Sequence, residues 1–322
     1  MQLWRSLQRG PHEAGGAAGH VATVGGFDGI HLGHQVLIER TRELARARGL
    51  GTMLISFEPL PKEYFSPDEP VARLTSFRER WRILERGGPD IFWVLPFTAR
   101  LRSLRATEFT SLLVGAGVRH LVIGHDFRAA YRGEADAAWF QRQGPALGLD
   151  VEIVEPVCAQ GERVGSGLIR HALQAGELDR AALLLGRAYS MRGRVVRGEQ
   201  LGRKLGFPTA NLRLSRRRAP LDGIFAVRVR GLDGEGGRAR DGVASLGTRP
   251  TVGGTRPLLE AHVFDFSGDL YGREIEVEFV ARLREERRFD RIEAMVEQMH
   301  LDAAAARALL GVRRTMETRE LG

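Results

Sequence analysis

The hydrophobic periodicity of this 322-residue chain changes once, near Gly186, and that change restricts the fold more than any other feature. Before it, short apolar runs alternate with helical stretches. Val21–Gly25, Thr52–Phe57, Ile91–Leu95, His120–Gly124 and Val151–Val154 read as strands; Gly33–Arg48, Phe77–Glu85, Ala106–Leu113 and Asp136–Leu147 read as helices. In the first helix Leu37, Thr41, Leu44 and Ala45 share a face, and Gly49 suits the position just past its end. Strands separated by helices of this length predict a parallel sheet covered on both faces, with right-handed connections. Beyond Gly186 the period falls to two. Phe225, Val227 and Val229 alternate with Ala226, Arg228 and Arg230, and Ile275, Val277 and Phe279 alternate with Glu276 and Glu278. Turn signals at Leu232–Gly237 and Ser267–Asp269 support antiparallel strands. A small closed barrel is the expected solution, because closure removes exposed edges. Two short helices, Ser166–Gln174 and Leu178–Leu185, precede the change, and a helical tail, Ile292–Gly311, follows the strands. The expectation is an α/β chain of two domains, 1–186 and 187–322.

Composition narrows the classes. One cysteine, Cys158, excludes an intramolecular disulfide and a cysteine-rich zinc site, so a reducing, cytoplasmic compartment is expected. Met1 to Glu13 carries no apolar signal-peptide core, and no run approaches the ~18 apolar residues of a membrane span, so no membrane partner is expected. The net charge of +8 is mostly an arginine excess. It is compatible with a solvated surface, nucleic acid, anionic lipid or a polyphosphate ligand. A strand surface for nucleic acid needs exposed aromatics interleaved with basic residues; here Phe225 and Phe279 alternate into aliphatic rows, so no nucleic acid is expected. Nothing in the pattern specifies an oligomeric state.

Two segments carry chemistry. The first, Gly25-Gly26-Phe27-Asp28-Gly29-Ile30-His31-Leu32-Gly33-His34, joins the first strand to the first helix. In open α/β sheets ligands bind beyond the carboxyl ends of the strands, where helix N-termini offer free N–H groups to phosphate. Glycines allow close backbone approach, and His31 and His34 can donate to a phosphoryl oxygen as charge develops. The spacing is neither the dinucleotide-binding G-x-G-x-x-G nor a P-loop, which needs Lys-Ser or Lys-Thr after the glycines. A metal-ligand reading of the two histidines remains, without a third histidine or cysteine nearby.

The second, Gly202-Arg203-Lys204-Leu205-Gly206-Phe207-Pro208-Thr209-Ala210-Asn211, opens the β-rich half. Its glycines suit an anion-binding concavity, and Thr209 and Asn211 offer hard oxygen donors for Mg²⁺. Without further context the segment also reads as a plain turn. Glu260, in the expected strand Leu259–Phe266, faces the same way as His262, Phe264 and Phe266. A carboxylate among apolar neighbours gains basicity and can accept a hydroxyl proton; an exposed strand residue is the other reading.

The first segment resembles the H-x-G-H signature of nucleotidyltransferases and, with Phe27-Asp28-Gly29, the adenylyltransferase half of the bacterial bifunctional riboflavin kinase/FMN adenylyltransferase (FAD synthetase) family. Phe57-Glu58-Pro59-Leu60-Pro61, Gly124-His125-Asp126-Phe127-Arg128 and Gly165-Ser166-Gly167-Leu168-Ile169-Arg170 are similar to further family stretches. They depart from them at Leu60, at Ala129-Ala130 where the family has Phe-Gly, and at Gly167. Gly202 to Leu212 carries the complete riboflavin kinase signature, and Gly242–Thr251, Leu259–His262 and Asp269–Gly272 match other segments of that half. The resemblance implies a nucleotidyltransferase domain followed by a riboflavin kinase barrel. It implies ATP as co-substrate, Mg²⁺ as cofactor, and riboflavin, FMN and FAD as partners. It assigns ATP contacts to Gly25, Gly26, Phe27, Asp28, His31, Gly33, His34, Asp126, Ser166 and Arg170 in the first half, and to Gly202, Gly206, Thr209 and Asn211 in the second. Thr209 and Asn211 would also hold the metal, Glu260 would be the base, and Arg284, Glu286 and Phe289 would cover the flavin. The departures leave open a flavokinase with a weakened adenylyltransferase.

Overall fold

The computed structural model describes residues 1–7, 19–198, 202, 205–234, 237–251 and 254–320. Part of the Met1–Glu13 stretch, Arg203 and Lys204 of the second segment, and the middle of the Leu232–Gly237 turn lie outside the described residues. Contacts divide the chain into two compact units, residues 1–71 with 80–165, and residues 72–79 with 166–322.

In the first unit, the strands β1 (Gln2–Trp4), β2 (His20–Val24), β3 (Gly51–Glu58), β4 (Ile91–Pro96), β5 (Val118–Gly124) and β8 (Asp150–Val154) form a sheet in the order β1-β4-β3-β2-β5-β8. Every pairing in it is parallel. Near-continuous apolar runs such as Met53–Ile55 and Ile91–Leu95 are what a sheet covered on both faces requires. The strand order reverses at β2, whose neighbours are β3 and β5, and this is where such sheets place ligands. The edge strand β1 was not expected: its three residues carry no periodicity of their own and are ordered by pairing with Ile91–Trp93. The helices here are α1 (Leu32–Arg48), α2 (Pro61–Phe65), α4 (Ala99–Ser103), α5 (Ala106–Gly115) and α6 (Ala137–Gln143), while α3 (Phe77–Glu85) crosses from one unit into the other. Two short hairpins, β6 (Arg128–Ala129) with β7 (Ala135–Asp136) and β9 (Cys158–Ala159) with β10 (Glu162–Arg163), decorate the loops after β5 and β8. The helix expected over Asp136–Leu147 splits: Asp136 caps α6, which ends at Gln143, and Pro145, lacking an N–H, starts a separate 3₁₀ turn.

In the second unit, α7 (Ser166–Ala175) and α8 (Leu178–Leu185) lead into β11 (Ser190–Val196), β12 (Ala210–Arg213), β13 (Gly223–Arg230), β14 (Arg240–Thr251), β15 (Gly254–Val263) and β16 (Glu274–Arg284). These close into a barrel in the order β11-β12-β15-β14-β13-β16, antiparallel throughout. The apolar rows predicted from period two, Phe225-Val227-Val229 and Ile275-Val277-Phe279, are buried. Strand β15 stops at Val263, short of the expected Phe266. Asp265 turns the chain at φ +54, and Phe264 enters a cluster with Ala226, Val280, Ala306 and Leu310 under α9 (Ile292–Glu320). That helix runs beyond the expected Gly311.

Packing thus groups α7 and α8 with the barrel, so the compact units part near residue 165, upstream of the division at 186 read from periodicity. The stretch Ala72–Glu79 joins the same unit through a buried ion pair. Arg216 binds the Glu79 carboxylate, which also accepts from the Ser76 and Arg192 backbone N–H groups, while Arg216 donates to Tyr189 Oη and to the carbonyls of Arg73 and Leu74.

Candidate active sites

At the carboxyl end of β2, the chain turns into α1 through Phe27 (φ +49), Gly29 (φ +89) and Ile30 (φ +42). A β-branched residue in the left-handed region is an outlier, and such strain collects where backbone N–H groups must be aimed at a ligand. His31 is the N-cap of α1, and its Nδ1 accepts the backbone N–H of His34 at 3.4 Å. With Nδ1 accepting that bond, the proton of the neutral His31 ring resides on Nε2. The two imidazoles stack at 3.6 Å between centroids. Burial, with lesser electrostatic contributions from His31 and Arg80, holds His34 well below the ordinary imidazole pKa, so it is neutral at pH 7. Gly33 lies beneath these rings: a Cβ there would approach the His31 ring to 3.3 Å. Phe27 is wholly buried, its ring 4.9 Å from that of His34, so its side chain supports the loop from inside. Asp28 is buried as well, and Gly25 donates its N–H to the Ile55 carbonyl at 3.0 Å.

Sequence reasoning missed Arg80 in this site. Its guanidinium, with no exposed surface, donates to the Gly26 carbonyl, Ser56 Oγ and Glu58 Oε2. No local motif marks it, because its partners lie more than twenty residues away. Of the departures, Leu60 is buried, with Cδ2 3.7 Å from where a Gly26 Cβ would stand, and Ala130 takes φ +66, ψ −171, a region that glycine alone adopts readily. Asp126, beyond β5, pairs with Arg163 at 2.5 Å. Ser166 opens α7 and Arg170 follows on it; Arg170 Nε donates to the Ala72 carbonyl at 2.8 Å within the second unit.

The second site lies on the barrel. Asn211 of β12 pairs directly with Glu260 of β15, and Glu260 pairs with Ser245 of β14. The three side chains therefore form one row across neighbouring strands. A cavity of about 700 Å³ opens on one side of that row, with Phe207, Ile224, Glu260, Glu286, Phe289 and Met299 in its wall. A second, of about 570 Å³, is lined by Asn211, Gly268, Asp269, Leu270 and Tyr271. Thr209 lines both. A Cβ on Gly202 would stand 2.4 Å from the Phe207 carbonyl, and one on Gly198 2.7 Å from the Asn211 side-chain oxygen, so both glycines permit close approach in this wall. Gly206, further along the segment, takes φ +82.

Arg284 belongs to the rim of the larger cavity, but its guanidinium is committed to Asp302 of α9, with Nε and a terminal nitrogen at 2.9 and 2.7 Å. Asp302 is buried and also accepts from Gln298, so it was the unrecognised partner that docks α9 onto β16. Phe289 lies under Arg287, 4.8 Å from its centroid, and Glu286 accepts from Ser245 Oγ at 3.1 Å. The arrangement offers one larger and one smaller cavity, both partly apolar, and a row of hydroxyl, amide and carboxylate beside them.

The riboflavin kinase family matches residues 185–310, and the FAD synthetase family matches residues 15–168. A bifunctional riboflavin kinase/FMN adenylyltransferase of Pseudomonas fluorescens is 43% identical over 96% of this chain and 98% of its own length. The protein of that description from Escherichia coli K12 is 40% identical over 95% of this chain and 96% of its own. A crystal structure described as a macrolide-efflux protein from Streptococcus pneumoniae matches 95% of this chain and 99% of its own, at 30% identity and a TM-score of 0.78. Among the described residues no helix is long and apolar enough to cross a membrane.

Proposed function

The chain belongs to the family of bifunctional riboflavin kinase/FMN adenylyltransferases, and we propose that its two reactions divide between the Glu260 row and the His31–His34 loop. The enzyme phosphorylates riboflavin to FMN and adenylylates FMN to FAD with release of pyrophosphate, using ATP in both steps.

The observation that carries the kinase assignment is that Thr209 lines both barrel cavities while Glu260 and Asn211 pair across the adjoining strands. Riboflavin occupies the larger cavity, against Phe207, Phe289 and the methionines of α9, with Arg284 and Glu286 at its edge. ATP lies in the smaller one, against Gly198, Thr209 and Asn211, with Gly202 and Gly206 assigned to it by their motif. Glu260 accepts the proton of the ribityl 5′-hydroxyl as its oxygen forms a bond to the γ-phosphorus; the bond to the ADP oxygen breaks and ADP leaves. Thr209 and Asn211 suit Mg²⁺: both are hard oxygen donors, and only a glycine at 198 leaves the Asn211 oxygen open. When bound there the ion would offset charge on the ATP phosphates.

In the first unit an FMN phosphate oxygen attacks the α-phosphorus of a second ATP, and the bond to pyrophosphate breaks. His31 and His34 donate to the phosphoryl oxygens, and the turn through Gly26, Phe27 and Asp28 presents its backbone N–H groups with Gly33 at the helix start, while Gly25, whose N–H is held by the Ile55 carbonyl, allows close backbone approach. Asp126 is assigned to this site by its motif. A cytoplasmic location fits the lone thiol at Cys158.

The test is to incubate purified protein with riboflavin, ATP and Mg²⁺ and to separate the flavins by chromatography. Sequential FMN and FAD are expected. FMN that never proceeds to FAD refutes the adenylyltransferase, and the absence of both products refutes the scheme.

A further inference from the structure

Arg80, in the first unit, is fully buried and sits under the Gly25–His34 loop. One terminal nitrogen donates to the Gly26 carbonyl at 2.9 Å and to Ser56 Oγ at 3.0 Å, and the other to Glu58 Oε2 at 2.8 Å. Ser56 Oγ donates to the same Gly26 carbonyl at 3.2 Å. Burying a guanidinium is unfavourable, and an apolar side chain of this volume would fill the space at lower cost. The Glu58 carboxylate that pairs with it is 38% exposed, so the cationic end of the pair is the buried one and lies beneath the loop.

The carbonyl that Arg80 holds explains its placement. Gly26 immediately precedes the turn at Phe27, Gly29 and Ile30. A carbonyl oxygen directed at that turn would repel phosphate; drawn inward by two donors, it leaves the following N–H groups to face the ligand. We propose that Arg80 is a positioning residue for adenylyl transfer, which turns the Gly26 carbonyl away from the ATP phosphates and fixes a buried positive charge behind them. This rests on the reading of the Gly25–His34 loop as the adenylyltransferase site. The depressed basicity of His34, to which Arg80 contributes after burial and His31, reports the same field.

The experiment uses the full chain with Arg80→Met and Arg80→Lys. It measures FAD formation from supplied FMN, FMN formation from riboflavin in parallel, and the titration of His34 by NMR. Loss of the held carbonyl and the charge predicts a fall of about a hundredfold in kcat/KM for ATP in Arg80→Met, in line with the effect of small misplacements at reacting groups. FMN formation stays within about twofold, and the His34 titration moves up towards its ordinary value. Arg80→Lys keeps the charge but not the fork, so His34 stays low while kcat/KM falls about tenfold. Wild-type FAD formation in Arg80→Met, or an unmoved His34, overturns the proposal. If Arg80→Met loses both activities, Arg80→Lys decides: a loss confined to FAD formation supports the proposal, and full activity overturns it. A wild-type chain that makes FMN but no FAD overturns the reading of the loop itself.

Discussion

Glu260→Gln separates the two reactions most cleanly. The substitution keeps length, planarity and one carbonyl oxygen, and removes the basic site. Glu260 is only half-buried and stands in a row with Asn211 and Ser245, so the amide keeps polar neighbours on both sides. Loss of the charge should then cost under about 1 kcal/mol of stability. The catalytic loss is larger. A positioned general base contributes about 10²–10⁴ in rate, and at 1.36 kcal/mol per decade this is about 3–5 kcal/mol of barrier. Cross-strand neighbours have Cβ atoms about 5 Å apart, so Glu260 can reach a hydroxyl poised beside the Asn211 amide, which favours the upper half of that range. The assay is steady-state FMN formation from riboflavin beside FAD formation from supplied FMN, on one preparation. The first should fall about a thousandfold and the second should not change. A loss below tenfold in FMN formation refutes the role of Glu260 as base. Equal loss in both reactions refutes separate sites.

Gly198→Ala would place a Cβ 2.7 Å from the Asn211 side-chain oxygen; it should raise the Mg²⁺ concentration needed for FMN formation about tenfold or more, measured by metal titration, and leave FAD formation from FMN unchanged. Ala130→Gly should relieve the φ +66, ψ −171 backbone and stabilise the first unit by about 1 kcal/mol in denaturant unfolding. Glu79→Gln leaves Arg216, 1% exposed, without its countercharge and should destabilise the second unit by about 3 kcal/mol, seen as a lower denaturant midpoint at constant slope. Acid should weaken the first unit through His34 and His120, both held below their ordinary value of 6.5, chiefly by burial. Between the folded and unfolded pKa values the unfolded chain binds more protons, so this contribution is complete above about pH 6.5 and declines as pH falls below it. His120 faces the Arg48 and Arg40 cations and the Asp150 and Glu152 carboxylates, and neither ring nitrogen has a hydrogen-bond partner among the described residues. His120→Leu should therefore flatten the acid side of the stability profile and add about 1 kcal/mol at pH 6.

The parts of this fold that were legible in sequence are those set by short-range pattern. The parallel strands show as continuous apolar runs because both faces of the sheet are covered, and the barrel shows as alternation because one face is wet. The strained turn was legible as glycines beside two histidines, since a helix start and its cap are local events. Three features were not legible. Arg80 meets Gly26 across 54 residues, Arg216 meets Glu79 across 137, and Asp302 reaches Arg284 from another element. An arginine on a helix of predicted charged character reads as solvated until tertiary packing buries it. The early end of β15 escaped for a related reason. Phe264 fits the alternation, yet a pocket under α9 offers it more burial than the strand does, and Asp265 takes up the turn.

The two sites differ because their nucleophiles differ. Riboflavin attacks with a neutral hydroxyl, which must lose a proton as the bond forms, so the kinase row needs a carboxylate beside its phosphate-binding hydroxyl and amide. FMN attacks with a phosphate that is already anionic and needs no base. An open carboxylate at that point would repel the nucleophile and the triphosphate together, at several kcal/mol in a partly desolvated site. The first unit meets this requirement. Asp28 is buried, Asp126 is tied to Arg163, and what the loop presents is a helix N-terminus, a His31 whose proton is fixed on Nε2 and a neutral His34. Donors that carry little charge of their own bind phosphate without releasing a proton. One barrel site could not serve both steps: the group that activates the hydroxyl is the group that would exclude its phosphorylated product from attacking again. Separate units on one chain follow from that electrostatic conflict.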